Sequence, residues 1–132
     1  MAVPPIALGI YFCSRLEVDA DRREVSLQGL FSSRAFRQFP SLLTPLSFFS
    51  YLSGGRGEGN LQLEVFRIFA DGRAQGIWRQ KRWVRFPDDP MIPVPVHFLA
   101  RKLSFPAPGH YLVQLSFDGH AICDRQLLVR SR

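Results

Sequence analysis

No stretch of the chain long enough for a helix repeats its apolar residues every three or four positions. What recurs is a short run in which apolar and polar side chains alternate, closed by Gly, Pro or Asp-Gly. Alternation places every second side chain on one face of an extended strand, and Gly and Pro cut such runs into turns. Strand and turn at this density describe an antiparallel sandwich or barrel, not a helical bundle or an α/β domain.

Along the chain, IALGIYFC (Ile6 to Cys13) reads as a first strand and SRLEVDADRRE after it as a polar excursion. EVSLQGLF (Glu24 to Phe31) alternates, with Val25, Leu27 and Gly29 on one face. RQFPSLLTP is a Pro-bounded connection, and LSFFSYL (Leu46 to Leu52) is rich in strand formers. The Gly-rich SGGRGEGN (Ser53 to Asn60) matches neither phosphate-cradling pattern and no helix pattern follows it. It therefore reads as a flexible hairpin connection. LQLEVFRIFADGRAQGIW reads as strand, turn, strand, with Leu61, Leu63 and Val65 sharing a face and Asp71-Gly72 supplying the positive φ angles of a tight turn. FPDDPMIPVP is a Pro-rich loop. Pro cannot donate to a ladder, so Pro93 and Pro95 belong at an edge or outside the sheet. VHFLARKLSF is open between a strand and one short helical turn.

The chain closes on PGHYLVQLSFDGH (Pro108 to His120) and the returning HAICDRQLLV. Tyr111, Val113, Leu115 and Phe117 share one face, and Asp118-Gly119 turns the chain. A Tyr just after a Pro-Gly turn, opening the penultimate strand, fits a tyrosine corner, in which the hydroxyl bonds back to the preceding connection. The expected fold is a single-domain, antiparallel, immunoglobulin-like β-sandwich over residues 1–132, with about seven or eight strands. At 132 residues such a domain buries enough surface to need neither metal nor disulfide. Its 12 Phe suit a thick aromatic core.

The stretch from Tyr11 to Pro40 resembles the opening of a family of short bacterial proteins of unknown function. The matching positions are Cys13 after an apolar strand, then Leu27, Gly29 and Phe31 in a strand ending Gly-x-Phe, then Phe39-Pro40. LQLEVFRIFADG and FPAPGHYLVQLSFDG are similar to later parts of the same family. The family often carries Asp after the Cys, where this chain has Ser14, so a Cys-Asp pair gains no support here. The resemblance implies an all-β sandwich. It implies no activity and brings no functional residues.

Chemistry is scarce. His110 and His120 fall at opposite ends of the last hairpin, about 20 Å apart at roughly 3.3 Å per residue, and cannot share a metal. His97 has no second ligand at a useful spacing, and a closed site needs four. No metal or cofactor is expected. Asp88-Asp89 reads as a solvated turn in the Pro-rich loop. Cys13 lies in an apolar strand, where thiols are inert packing. An enzyme is not expected.

WRQKRWVRF (Trp78 to Phe86) splits cleanly by period two. Trp78, Gln80, Arg82, Val84 and Phe86 share one face; Arg79, Lys81, Trp83 and Arg85 share the other. Three cations around a Trp are able to grip phosphates while the indole stacks on a base. Charges also blunt exposed sheet edges, which explains the same row without a ligand. The net charge of +6 permits a polyanion without requiring one. Two distant cysteines read as reduced thiols, and the first residues read as a strand rather than a signal peptide or a bilayer span. The chain is expected to be cytoplasmic and free of membranes. The expected function is a non-enzymatic interaction module whose partner is another protein or itself. Its candidate contact surfaces are the Gly-rich loop, the loop from Pro87 to Pro95, and the row Arg79, Lys81, Trp83 and Arg85. The alternative is nucleic-acid or polyanion binding through that row.

Overall fold

The computed structural model describes residues 2–22, 24–42 and 45–132. Met1, Arg23 of the polar excursion, and Leu43 and Thr44 of the Pro-bounded connection lie outside them. Ten strands form among the described residues: β1 (Ile6–Ala7), β2 (Tyr11–Asp19), β3 (Glu24–Phe31), β4 (Ser33–Phe36), β5 (Leu46–Ser53), β6 (Glu58–Ile68), β7 (Ala74–Arg85), β8 (Val94–Ala100), β9 (Gly109–Phe117) and β10 (His120–Ser131). The count exceeds seven or eight because β1 is two residues long and β4 four.

The strands build two sheets. In the first, β8 lines one edge of β5, β1 and β2 line the other, and β3 pairs with β2. In the second, the order is β4-β10-β9-β6-β7, antiparallel except for β4, which runs parallel to β10. The chain crosses between sheets five times, from β3 to β4, β4 to β5, β5 to β6, β7 to β8 and β8 to β9. Strands β2-β5-β8 facing β10-β9-β6-β7 give the architecture of an immunoglobulin-like sandwich.

Alternation becomes burial where the sheets face each other. Leu46, Phe48 and Leu52 of β5 meet Leu61, Leu63 and Val65 of β6 and Tyr111, Val113, Leu115 and Phe117 of β9; each is at most 1% exposed. The Phe48 and Trp78 rings stack across the layers at 5.9 Å between centroids. Tyr111 forms the expected corner: its hydroxyl donates to the Ala107 carbonyl at 2.6 Å, beneath an edge-on contact with Phe105.

The two Asp-Gly turns differ. Asp118 (φ 47°) and Gly119 (φ 83°) both take the left-handed conformation of a two-residue hairpin turn. At the other turn Gly72 alone does, and the loop widens, with the Phe69 N–H donating to the Arg73 carbonyl and the Gly72 N–H to that of Phe69. Pro95 lies within β8, an edge strand, where its missing N–H costs no ladder bond.

Two local expectations are corrected. The polar excursion is not a loop: β2 runs on to Asp19, because Leu16 and Val18 continue the alternation between charged residues. The Gly-rich segment is not a hairpin. Both edges of β5 are already occupied, by β8 and by β1 and β2, so the chain must cross to the other sheet to start β6. It crosses tightly, since a Cβ on Gly55 would sit 2.7 Å from the Phe86 ring.

Candidate functional site

The row on β7 is placed as expected. Arg79, Lys81, Trp83 and Arg85 share the outer face of the second sheet, all exposed, with Trp83 at 58%. The inner positions Val84 and Phe86 are buried, and Arg82 lies over the Phe98 ring at 5.2 Å. The neighbouring strand moderates the row's charge. Register sets Glu64 beside Arg79 and Glu58 beside Arg85, the latter as an ion pair at 3.8 Å.

The two loops named as contact surfaces hold each other. The Gly54 N–H donates to the Pro90 carbonyl and the Phe86 N–H to that of Gly57, both at 2.9 Å. Met91 and Ile92 remain exposed at the tip of the Pro-rich loop.

A feature absent from the sequence reading dominates one end of the molecule. β5 pairs with β2 only from Tyr11 to Cys13, whereas β2 and β3 stay paired out to Asp19 and Glu24. Beyond Cys13 the two strands form a ribbon, here called the arm, closed by a turn in which Asp19 Oδ1 accepts from the N–H groups of Asp21 and Arg22. Leu16 pairs with Leu27 and Val18 with Val25 on the face that carries Phe12 and Phe31 nearer the core. That face continues the core-facing side of the first sheet. None of the four packs against the core among the described residues; Leu16, Val25 and Leu27 are half-buried and Val18 is 66% exposed.

The base of the arm is sharply defined. Gly29 takes φ 67°, and a Cβ there would lie 2.7 Å from Ser14 Oγ. Arg34 of β4 donates from Nη2 to that same Ser14 Oγ at 3.1 Å and lies 4.4 Å above the Phe31 ring, so it closes the end of the core. Beside it, Arg34, Phe36, Arg37, Leu42 and Arg132 line a shallow hollow of about 410 Å³. None of these three arginines forms an ion pair among the described residues. The signal in the sequence was the L-x-V of RLEVD facing the V-x-L of EVSLQ; charged neighbours masked it.

A family of unknown function, DUF6941, matches residues 9–130. The chain belongs to that family. The match spans the positions that carried the resemblance, from Cys13 to Pro40, and both later segments. No curated protein matches. Among solved structures, the chain is similar to an immunoglobulin-like protein from Pseudomonas aeruginosa at 13% identity, with a TM-score of 0.48, over 97% of this chain and 98% of that one.

The reactive groups are spread apart and held quiet. Cys13 is fully buried, and burial pushes its thiol up. Burial, then the Asp124 charge, pushes the Cys123 thiol up as well. Neither is poised as a thiolate nucleophile. Burial, then Arg82, holds His97 below its ordinary value, and its Nε2 is enclosed without a hydrogen-bond partner. His110 and His120 fall at opposite ends of the β9–β10 hairpin. No group of three or more His, Cys, Asp and Glu is arranged to hold a metal among the described residues. No helix there is long and apolar enough to cross a membrane.

Proposed function

We propose that the chain is a non-enzymatic interaction module and that its contact element is the β2–β3 arm. The observation that carries this reading is the uncovered apolar face of Leu16, Val18, Val25 and Leu27. A two-stranded ribbon on its own is marginal in water, and it gains stability when a further layer covers its apolar face. An extended element with one apolar face and a backbone edge is a common mode of protein docking.

The test replaces Val18 and Val25 together by Thr, which keeps strand propensity and makes the outer half of the apolar face polar. The wild-type chain is expected to self-associate or to retain a stoichiometric protein from its own cells after nuclease treatment. The double variant is expected to lose that association and to unfold with the midpoint of the dilute, unassociated wild type. If the wild type does neither, or the variant keeps the association the wild type shows, the reading fails.

The runner-up is polyanion binding through Arg79, Lys81, Trp83 and Arg85, favoured by the exposed indole among three cations. It requires binding to single-stranded nucleic acid that weakens steeply with salt and disappears in Arg79→Glu/Arg85→Glu. The flanking Glu58 and Glu64 argue for the weaker field of a solvated face.

A further inference from the structure

We infer that the arm clasps a second copy of this chain, apolar face to apolar face about a two-fold axis. The inference rests on the reading of the arm as the contact element and names its partner.

The first support is the shape of what is missing. Along the sandwich, the core-facing side of the first sheet is covered by the second sheet, and facing sheets pack about 10 Å apart. Past Arg34 that cover stops while the first sheet continues as the arm. An identical arm supplies a layer of matching length and apolar pattern. A two-fold contact asks one patch to complement itself, and Leu16, Val18, Val25 and Leu27 form such a patch.

The second support is charge complementarity. In a two-fold, antiparallel packing the tip of each arm lies over the base of the other. The tip carries Asp19, Asp21 and Glu24 against Arg22 and Arg23, three acids to two arginines and a net charge of −1; Arg22 is engaged with Asp19 at 3.8 Å, and Asp21 and Glu24 form no ion pair among the described residues. The base carries Arg34, Arg37 and Arg132, likewise without ion pairs there. Tip and base thus supply the opposite charges that two chains of net charge +6 need in order to approach each other.

Sedimentation of the full chain over a range of concentrations and at two salt levels tests the clasp. A dimer is expected, weakened by salt. Val18→Glu should sediment as a monomer, with the unfolding midpoint that the wild type shows when diluted below its dissociation constant. Arg37→Glu should raise the dissociation constant at least tenfold, and adding Asp21→Arg to it should recover most of that loss. A wild type that stays monomeric at roughly 100 µM overturns the clasp. So does a dimer that survives both Val18→Glu and Arg37→Glu. A monomer whose arm captures a different protein overturns the clasp and leaves the interaction module standing. A monomer that recovers only nucleic acid overturns both.

Discussion

The β9–β10 hairpin and the β2–β3 arm are both antiparallel pairs with apolar residues at alternate positions, yet the first buries that face and the second displays it. On β9, Tyr111, Val113, Leu115 and Phe117 are at most 1% exposed. On the arm, Leu16, Val25 and Leu27 are half-buried, Val18 is exposed, and none of the four packs against the core among the described residues. The difference lies in the layer opposite. β9 sits in the middle of its sheet, between β10 and β6, and faces β5 across the sandwich; the arm begins where the opposing sheet ends. Alternation records that a strand has two unlike faces. Whether the apolar one is buried is decided by the rest of the fold, or by another chain.

The comparison is open to breakage in four places. Leu115→Ala should cost about 3 kcal/mol in urea unfolding, because it opens a cavity between two sheets. Leu27→Ala in the arm should cost less than about 1 kcal/mol in the monomer, since no enclosed space is created. Equal costs would mean that the arm is part of the core. Tyr111→Phe should cost about 1 kcal/mol, the worth of a buried hydroxyl bond to the Ala107 carbonyl; a null result would reduce the corner to ordinary aromatic packing.

The third prediction concerns pH. In the folded state His97 sits below its ordinary value, from burial and then from Arg82, so the unfolded chain binds the proton more readily. Stability is therefore full above the ordinary histidine range and declines as pH falls through it toward the folded value. His97→Gln should flatten that decline when unfolding midpoints are compared at pH 7 and pH 5.5. The arm contains no histidine, so its hydrogen exchange should not follow the same curve. The smallest effect is expected of Val18→Thr alone in the monomer, with an unfolding free energy changed by less than about 0.5 kcal/mol. A large loss would show that the arm's face is covered within the chain itself.

The sandwich was legible because its signals are local. The alternation in β9, the Asp118-Gly119 turn and the spacing of Tyr111 from Pro108-Gly109 each lie within a few residues. The row on β7 was legible for the same reason: period two alone separates Arg79, Lys81, Trp83 and Arg85 from Trp78, Val84 and Phe86. The crossing at Ser53–Asn60 was not, because it depends on both edges of β5 being occupied by strands distant in sequence. β4 was missed because four residues carry too short a pattern, and its pairing with β10 joins positions almost a hundred residues apart. The arm was missed because its Leu and Val alternate with Arg, Glu and Asp, and composition outweighed period. The base of the arm was out of reach: no sequence pattern brings Arg34, Arg37 and Arg132 to one hollow.

The parallel pairing of β4 with β10 has a mechanical consequence. Ser33 to Phe36 lie in register with Leu128 to Ser131, side by side and pointing the same way. Tension applied to the chain before β4 and after β10 pulls these strands past each other along their length. Their hydrogen bonds are loaded in shear and must fail together, whereas a hairpin pulled at its open end unzips one bond at a time. A chain fastened this way holds under load like a spliced rope, with the splice next to the point where the arm departs.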